Sequence, residues 1–205
     1  MTDVLTAHTL AEERQALPVG SLRRHASGWW AMLCFVASEG AIFAYLLFSY
    51  YYFAVQPHAA WPPGGRPSMA LALPNTVILF ASSIAVWWGE RGIKRGQRGL
   101  PTLVILLGLL LGIIFLAIQI LEWRNKPYAF NSGTYPSLYF TITGFHMAHV
   151  AVGLVMLAFI GLWSAFGYFD RWRNAPVSAA ALYWHFVDAV WIVIFLTFYV
   201  TPYLG

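Results

Sequence analysis

A chain of 205 residues that is 60% hydrophobic, 18% aromatic and only 10% charged lies far from the roughly 25% charged share of an average soluble domain, and it reads as one integral membrane domain. Its formal charge of +4 does not point to nucleic acid, because the cations lie between apolar segments, where they meet lipid head groups. The single cysteine, Cys34, sits inside an apolar run, which excludes a disulfide framework or a multi-thiolate metal site assembled within this chain.

Residues 1–27 form a polar tail without the apolar core of a cleavable signal peptide. The tail is expected to stay attached, with the first helix as its own insertion signal. A bilayer core about 30 Å thick needs about 20 apolar residues of helix. Five stretches meet that, at about 28–53, 70–89, 101–122, 136–166 and 179–202. The predicted fold is therefore all-α: a transmembrane domain over 28–205 with five spans. Breakers separate them: Pro57, Pro62, Pro63, Gly64, Gly65 and Pro67; Gly96, Gly99 and Pro101; Pro127 and Gly133; Asn174 and Pro176. The fourth span is long enough to tilt or to extend past the membrane.

The first span holds "CFVASEGAIFAYLLF", with Glu39 about 15 Å beyond Trp29 at about 1.5 Å per residue, close to the midplane. An ionised carboxylate there costs several kcal/mol unless paired, so Glu39 is expected to be protonated or bonded to another helix. Two uses fit it, a structural hydrogen bond between helices and a protonic or lipid-facing role. Gly40 beside it would let another helix come near. The third span carries Gln119 and Glu122 three apart, the latter near the outer interface and within reach of water. The fourth carries "TGFHMAHVAVG", with His146 and His149 on one helix face. The fifth carries "YWHFVDAVW", where Asp188 lies one turn from His185 and can fix its tautomer or hold its charge. His8, His25 and His58 lie outside the spans.

Topology follows from the cations. Arg14, Arg23, Arg24, Arg91, Lys94, Arg95, Arg98, Arg171 and Arg173 fall on one side, and only Arg66, Arg124 and Lys126 on the other. Nine against three places the N-terminus in the cytoplasm and the C-terminus outside. Trp29, Trp30, Tyr51, Trp87, Trp88, Trp123, Trp172 and Tyr203 at the span ends are interfacial anchors or packing groups. Small residues four apart, Gly108 and Gly112, Gly144 and Ala148, Gly40 and Ala44, favour close helix approach and a tight bundle.

No nucleophile with a base, phosphate-cradling glycine loop or catalytic carboxylate pair stands out. His146, His149 and His185 keep open a stand-alone membrane haem or metal protein, although His-x-x-His on a helix is more often two satisfied polar residues than a metal site. His185 also lies only about two turns from the cytoplasmic end, a poor depth match for a haem shared with His146. Midplane carboxylates and histidines also suit a proton-coupled transporter, but the chain lacks the two-half symmetry many transporters have.

Five stretches in order, "FVASEGAIF", "LPNTVILFASS" with Trp87, "GIIFLAIQILEW", "TGFHMAHVAVGL" and "YWHFVDAVWIVIF", resemble subunit III of the haem-copper respiratory oxidases. The resemblance implies an accessory subunit with no catalytic residue, cofactor or metal of its own. Such a subunit packs on catalytic subunit I alongside subunit II, with haem and copper in those partners. It implies bound phospholipid and support for proton uptake and sustained turnover. The family's carbodiimide-reactive glutamate falls on Glu39, its paired histidines on His146 and His149, its last-helix trio on Trp184, His185 and Asp188, and its third-helix pair on Gln119 and Glu122. Many members have seven helices, with the lipid cleft between the first two and the other five. This chain begins at the third and is similar to the short bacterial form, which implies a multi-pass protein of the bacterial inner membrane. Within the class a cytochrome c oxidase is taken first, with a quinol oxidase or nitric oxide reductase subunit as alternatives; the donor, cytochrome c or quinol, is set by another subunit.

Overall fold

The computed structural model describes residues 27–56, 61–63, 65 and 67–204. The tail cations Arg14, Arg23 and Arg24, and His8, His25, His58 and Arg66, lie outside the described residues. Five long helices appear where the apolar runs place them: α1 Ser27–Ala54, α2 Met69–Lys94, α3 Leu100–Arg124, α4 Thr134–Ala165 and α5 Ala175–Phe195. A π-helical turn, Leu196–Val200, carries α5 into a final short helix, α6 Thr201–Leu204. All five crossings are long and apolar enough to span a bilayer. At 32 residues, α4 runs about 48 Å and extends past the hydrocarbon core. Among the described residues there is no strand.

The helix ends are set by local chemistry. Ser68 caps α2 by accepting from the Ala70 amide, and Pro101 and Pro176 stand in the first turns of α3 and α5, where a missing N–H is harmless. Gly96 and Gly99, at φ 76° and 77°, give the α2–α3 connection two left-handed residues that a side chain would strain.

The helices form a closed circuit: α2 packs on α3, α3 on α4, α4 on α1, α1 on α5 and α5 on α2, with α5 also on α4. Contacts are closest where glycines face a neighbour. A Cβ on Gly108 would lie 2.8 Å from the Val86 side chain, and one on Gly161 2.8 Å from Leu106. Gly112 and Gly153 bound a slot for the indole of Trp184, whose ring a Cβ on either would meet at 2.7 Å. Trp184 is fully buried, and its Nε1–H donates to Ser82 Oγ at 3.0 Å, which donates to the Gly108 carbonyl at 3.0 Å. One side chain of α5 thus touches α2, α3 and α4.

Two small-residue sites behave differently from expectation. Gly40 admits the ring of Phe186, 3.6 Å from where a Cβ would stand, so an aromatic side chain rather than a helix backbone occupies the space. Gly144 receives Trp123 at 3.0 Å, and Trp123 Nε1–H donates to Thr143 Oγ1 at 3.1 Å. Trp123 therefore packs inside the bundle, whereas Trp30, Trp87, Trp88 and Trp172 stay exposed at span ends. On α1 the described buried residues are Val36, Phe43 and Tyr50, spaced by seven, a single narrow seam along one helix face.

Candidate functional site

The seam of α1 carries the intramembrane carboxylate. Glu39 lies one turn from both Val36 and Phe43, and its Oε2 stands 3.1 Å from Nε2 of His149 on α4. The His149 tautomer is determined by its other nitrogen. Nδ1 is 2.8 Å from the Phe145 carbonyl, an oxygen that can only accept, so Nδ1 carries a proton. A second proton then lies between Nε2 and Oε2. Either a carboxylic acid donates to a neutral imidazole, or an imidazolium donates to a carboxylate. Both arrangements are neutral overall, so neither carries the full desolvation cost of a lone buried ion.

Aromatic groups hold the pair in place. Phe43 meets the His149 ring edge-on at 5.1 Å, Phe145 lies at 4.9 Å, and the Tyr183 hydroxyl donates to the His149 carbonyl at 3.2 Å. The side chains of His149 and Glu39 remain 12% and 18% exposed, so the pair opens outward at the α1–α4 edge instead of facing a sealed interior. Water-poor walls on one side and an opening on the other suit a group that holds or passes a proton.

The remaining candidates are not gathered at this pair. His146, three residues before His149, turns inward: it is fully buried, stacks on Trp191 at 5.0 Å, and neither ring nitrogen has a hydrogen-bond partner among the described residues. The expected partnership of His185 with Asp188 does not form. His185 Nδ1 instead meets Ser83 Oγ on α2 at 2.6 Å, and the buried Asp188 carboxyl makes no hydrogen bond among the described residues. The reason is rotational: residues three apart diverge by about 60° around the axis, so the two side chains do not meet each other, although both lie beside Ser83 of α2.

Glu122 is also not where its position near the span end suggests. It is buried, with Oε1 accepting from Lys126 Nζ at 2.8 Å and from the Tyr199 hydroxyl. Lys126 in turn lies over the Tyr139 and Tyr199 rings, 4.8 and 5.2 Å from their centroids, and the two phenols bond at 3.0 Å. This cluster closes over most of the Glu122 side chain, which keeps 7% of its surface exposed. Gln119, one turn deeper, is fully buried and accepts from Asn75 Nδ2 at 3.5 Å, while Asn75 also donates to the Phe115 carbonyl at 3.2 Å. Ser82, Ser83, Asn75, Lys126 and Tyr199 are the partners not singled out from sequence. The first three were visible as polar side chains inside "LPNTVILFASS". Nothing in the sequence marked Tyr199, because the π turn decides its direction.

Among the described residues no group of three His, Cys, Asp or Glu side chains is placed to hold a metal ion. The two nitrogens of His149 are engaged and those of His146 lie among aromatic rings. The class these features define is a multi-pass membrane bundle with buried polar links between helices and a proton-holding pair at one edge.

Comparison with known proteins sharpens that class. The family model for cytochrome c oxidase subunit III matches residues 24–203. Curated relatives named cytochrome c oxidase subunit 3 include those of Petromyzon marinus at 34% identity, Carassius auratus at 33% and Danio rerio at 32%. Each alignment covers 177 residues, 83% of this chain and 68% of the relative. The chain belongs to the cytochrome c oxidase subunit III family. Membership makes it a multi-pass membrane component of the respiratory chain that assembles with other oxidase subunits.

Proposed function

We propose that this chain is a non-redox accessory subunit of a proton-pumping haem-copper terminal oxidase of the cytochrome c oxidase type. It packs on catalytic subunit I beside subunit II, with haem and copper held in those partners. It binds membrane phospholipid and supports proton uptake and sustained turnover. The observation that carries this reading is the neutral Glu39–His149 pair at an outward-opening edge of a subunit III bundle. A group there can exchange its proton across 3.1 Å without creating net charge in the membrane. Trp184, His185, Gln119 and Glu122 act in this reading as links between helices within the bundle, and His146 and Asp188 as further intramembrane groups of lipid- or proton-related use. The charge asymmetry of nine cations against three supports a cytoplasmic N-terminus. We assign the protein to a bacterial inner membrane on the resemblance to the short form.

Purification through a tag on this chain tests the reading. Haem- and copper-bearing subunits are expected to co-purify with oxygen-consuming activity driven by reduced cytochrome c. Recovery of the chain alone, with oxidase activity intact in the remaining membranes, would overturn it. Glu39→Gln tests the site: the complex should assemble and start at normal rate, then lose activity sooner during continuous turnover. Turnover decay identical to wild type would remove Glu39 from the function.

A further inference from the structure

A second site, separate from the Glu39 edge, lies where α2 ends and α3 begins. There a cavity of about 250 Å³ is lined by Trp87, Trp88, Arg91, Arg95, Leu100 and Val104, among others. Among the described residues its charge is uncompensated. Glu90, in the last turns of α2, is taken by Lys94, and among the described residues neither Arg91 nor Arg95 has an ion-pair partner. Arg91 is held in position by the Trp87 ring, its guanidinium carbon 3.8 Å from the centroid, a stacking that leaves its N–H edge free to donate.

The cavity is also ordered in polarity. The guanidinium groups come from the last turn of α2 and the residue after it, and the apolar wall of Leu100, Pro101 and Val104 runs from there along α3 toward the membrane interior. Trp88 and, one turn deeper, Ile84 continue that wall on α2, both exposed. Trp87 and Trp88 have the amphipathic rings that settle at head-group depth. Two donors able to clasp a phosphate, above a strip for an acyl chain, match the order of groups in a phospholipid.

We propose that this cavity is a binding site for the phosphate head group of an anionic phospholipid, with Arg91 and Arg95 as its ligands and Trp88, Leu100 and Val104 along its acyl chain. A neutral zwitterionic lipid fits less well, because its own ammonium adds a cation beside Arg91, Arg95 and the neighbouring Arg98.

The test uses the whole oxidase complex, reconstituted in nanodiscs of phosphatidylcholine with a minor fraction of phosphatidylglycerol and released for native mass spectrometry. Wild type should retain phosphatidylglycerol, and Arg91→Gln with Arg95→Gln should lower that retention by about tenfold or more, the scale of losing two basic residues at a membrane surface. Lys94→Gln with Arg98→Gln, the same charge change outside the clasp, should lower it by less than about threefold. The proposal is overturned if both pairs reduce retention equally, if phosphatidylcholine is retained as well as phosphatidylglycerol, or if inorganic phosphate at millimolar concentration displaces the lipid as readily from wild type as from the Arg91 and Arg95 variant. Removing residues 1–22 should leave retention unchanged. A rise on removal would show that the tail's own carboxylates fill the cavity and would also overturn it. Should the double glutamine variant fail to assemble, Arg91→Lys with Arg95→Lys keeps the charge and removes the forked geometry, and retention should fall severalfold; no fall would overturn the assignment to a clasped phosphate. Cytochrome c oxidation by the same samples reports separately on the proposed oxidase role.

Discussion

The slot around Trp184 and the seam of α1 hold helices together in opposite ways. At the slot, one indole is enclosed by Gly112, Gly153 and Ser82 from three other helices, and no volume is spare. Along α1, three buried side chains seven residues apart carry the packing, while Phe35, Ile42, Tyr45 and Phe48 point outward. Helices in lipid gain little from burying apolar surface against one another, so close packing and polar bonds decide association. The slot is closed by shape; α1 relies on two polar bonds, Glu39 with His149 and Tyr51 with Thr197, and leaves most of its surface for lipid or a partner subunit.

If the contrast is right, substitutions should fall in a definite order. Trp184→Ala should be the most damaging, by about 3–5 kcal/mol for an emptied aromatic site, seen as a large drop in the thermal midpoint of the detergent-solubilised complex or as loss of this subunit. Glu122→Gln should come next, at about 3 kcal/mol, because it leaves the Lys126 ammonium buried without its counter-charge. Adding Lys126→Met should restore most of that loss, and a double variant as weak as the single one would show that the phenols, not the ion pair, dominate. Gly153→Ala should cost about 1–3 kcal/mol by forcing a methyl against the Trp184 ring. Glu39→Gln should change the midpoint by less than about 1 kcal/mol, since a neutral amide replaces one member of a neutral pair. It should also abolish a carbodiimide adduct at this position, read by peptide mass. A loss as large as that of Trp184→Ala would erase the distinction between seam and slot.

The smallest effect belongs to the loop before α5. Asp170 accepts from the amides of Trp172 and Arg173 and pairs with the Arg173 guanidinium, and these bonds hold its carboxyl below the usual 3.8. A lowered folded value means that its contribution is present above about pH 3.8 and is lost only as pH falls through the lower folded value. The midpoint difference between wild type and Asp170→Asn should therefore be small and constant from pH 5 to pH 8. A difference that grows across that range would point to another titrating group.

The number and order of the helices were legible in the chain because membrane spans are written in length and apolarity, which need no tertiary information. Glu39 was legible too, as a single carboxylate in an apolar run. Its partner was not: two histidines three apart offered themselves, and only the rotation of α4 against α1 selects His149 and sends His146 to Trp191. Glu122 lies near the span end as read, but its burial was not legible, since distance along an axis measures depth and says nothing about which side chains close over a group. Gly108 was read correctly as a point of close helix approach, whereas Gly112, Gly144 and Gly40 each face an aromatic ring, because a small residue marks a space without naming its occupant.

The π turn at Leu196–Val200 makes the end of α5 sensitive to length more than to chemistry. One residue added to a helical turn rotates everything after it by about 100°, and it is this rotation that lets Tyr199 face Glu122 and Tyr139. Conservative exchanges at Leu196 or Val200 leave the count intact. Deleting Leu196, which precedes Tyr199, would swing the phenol away from its partners while altering no residue of the cluster itself, so in this stretch the spacing, and not the side chain, is what selection has to preserve.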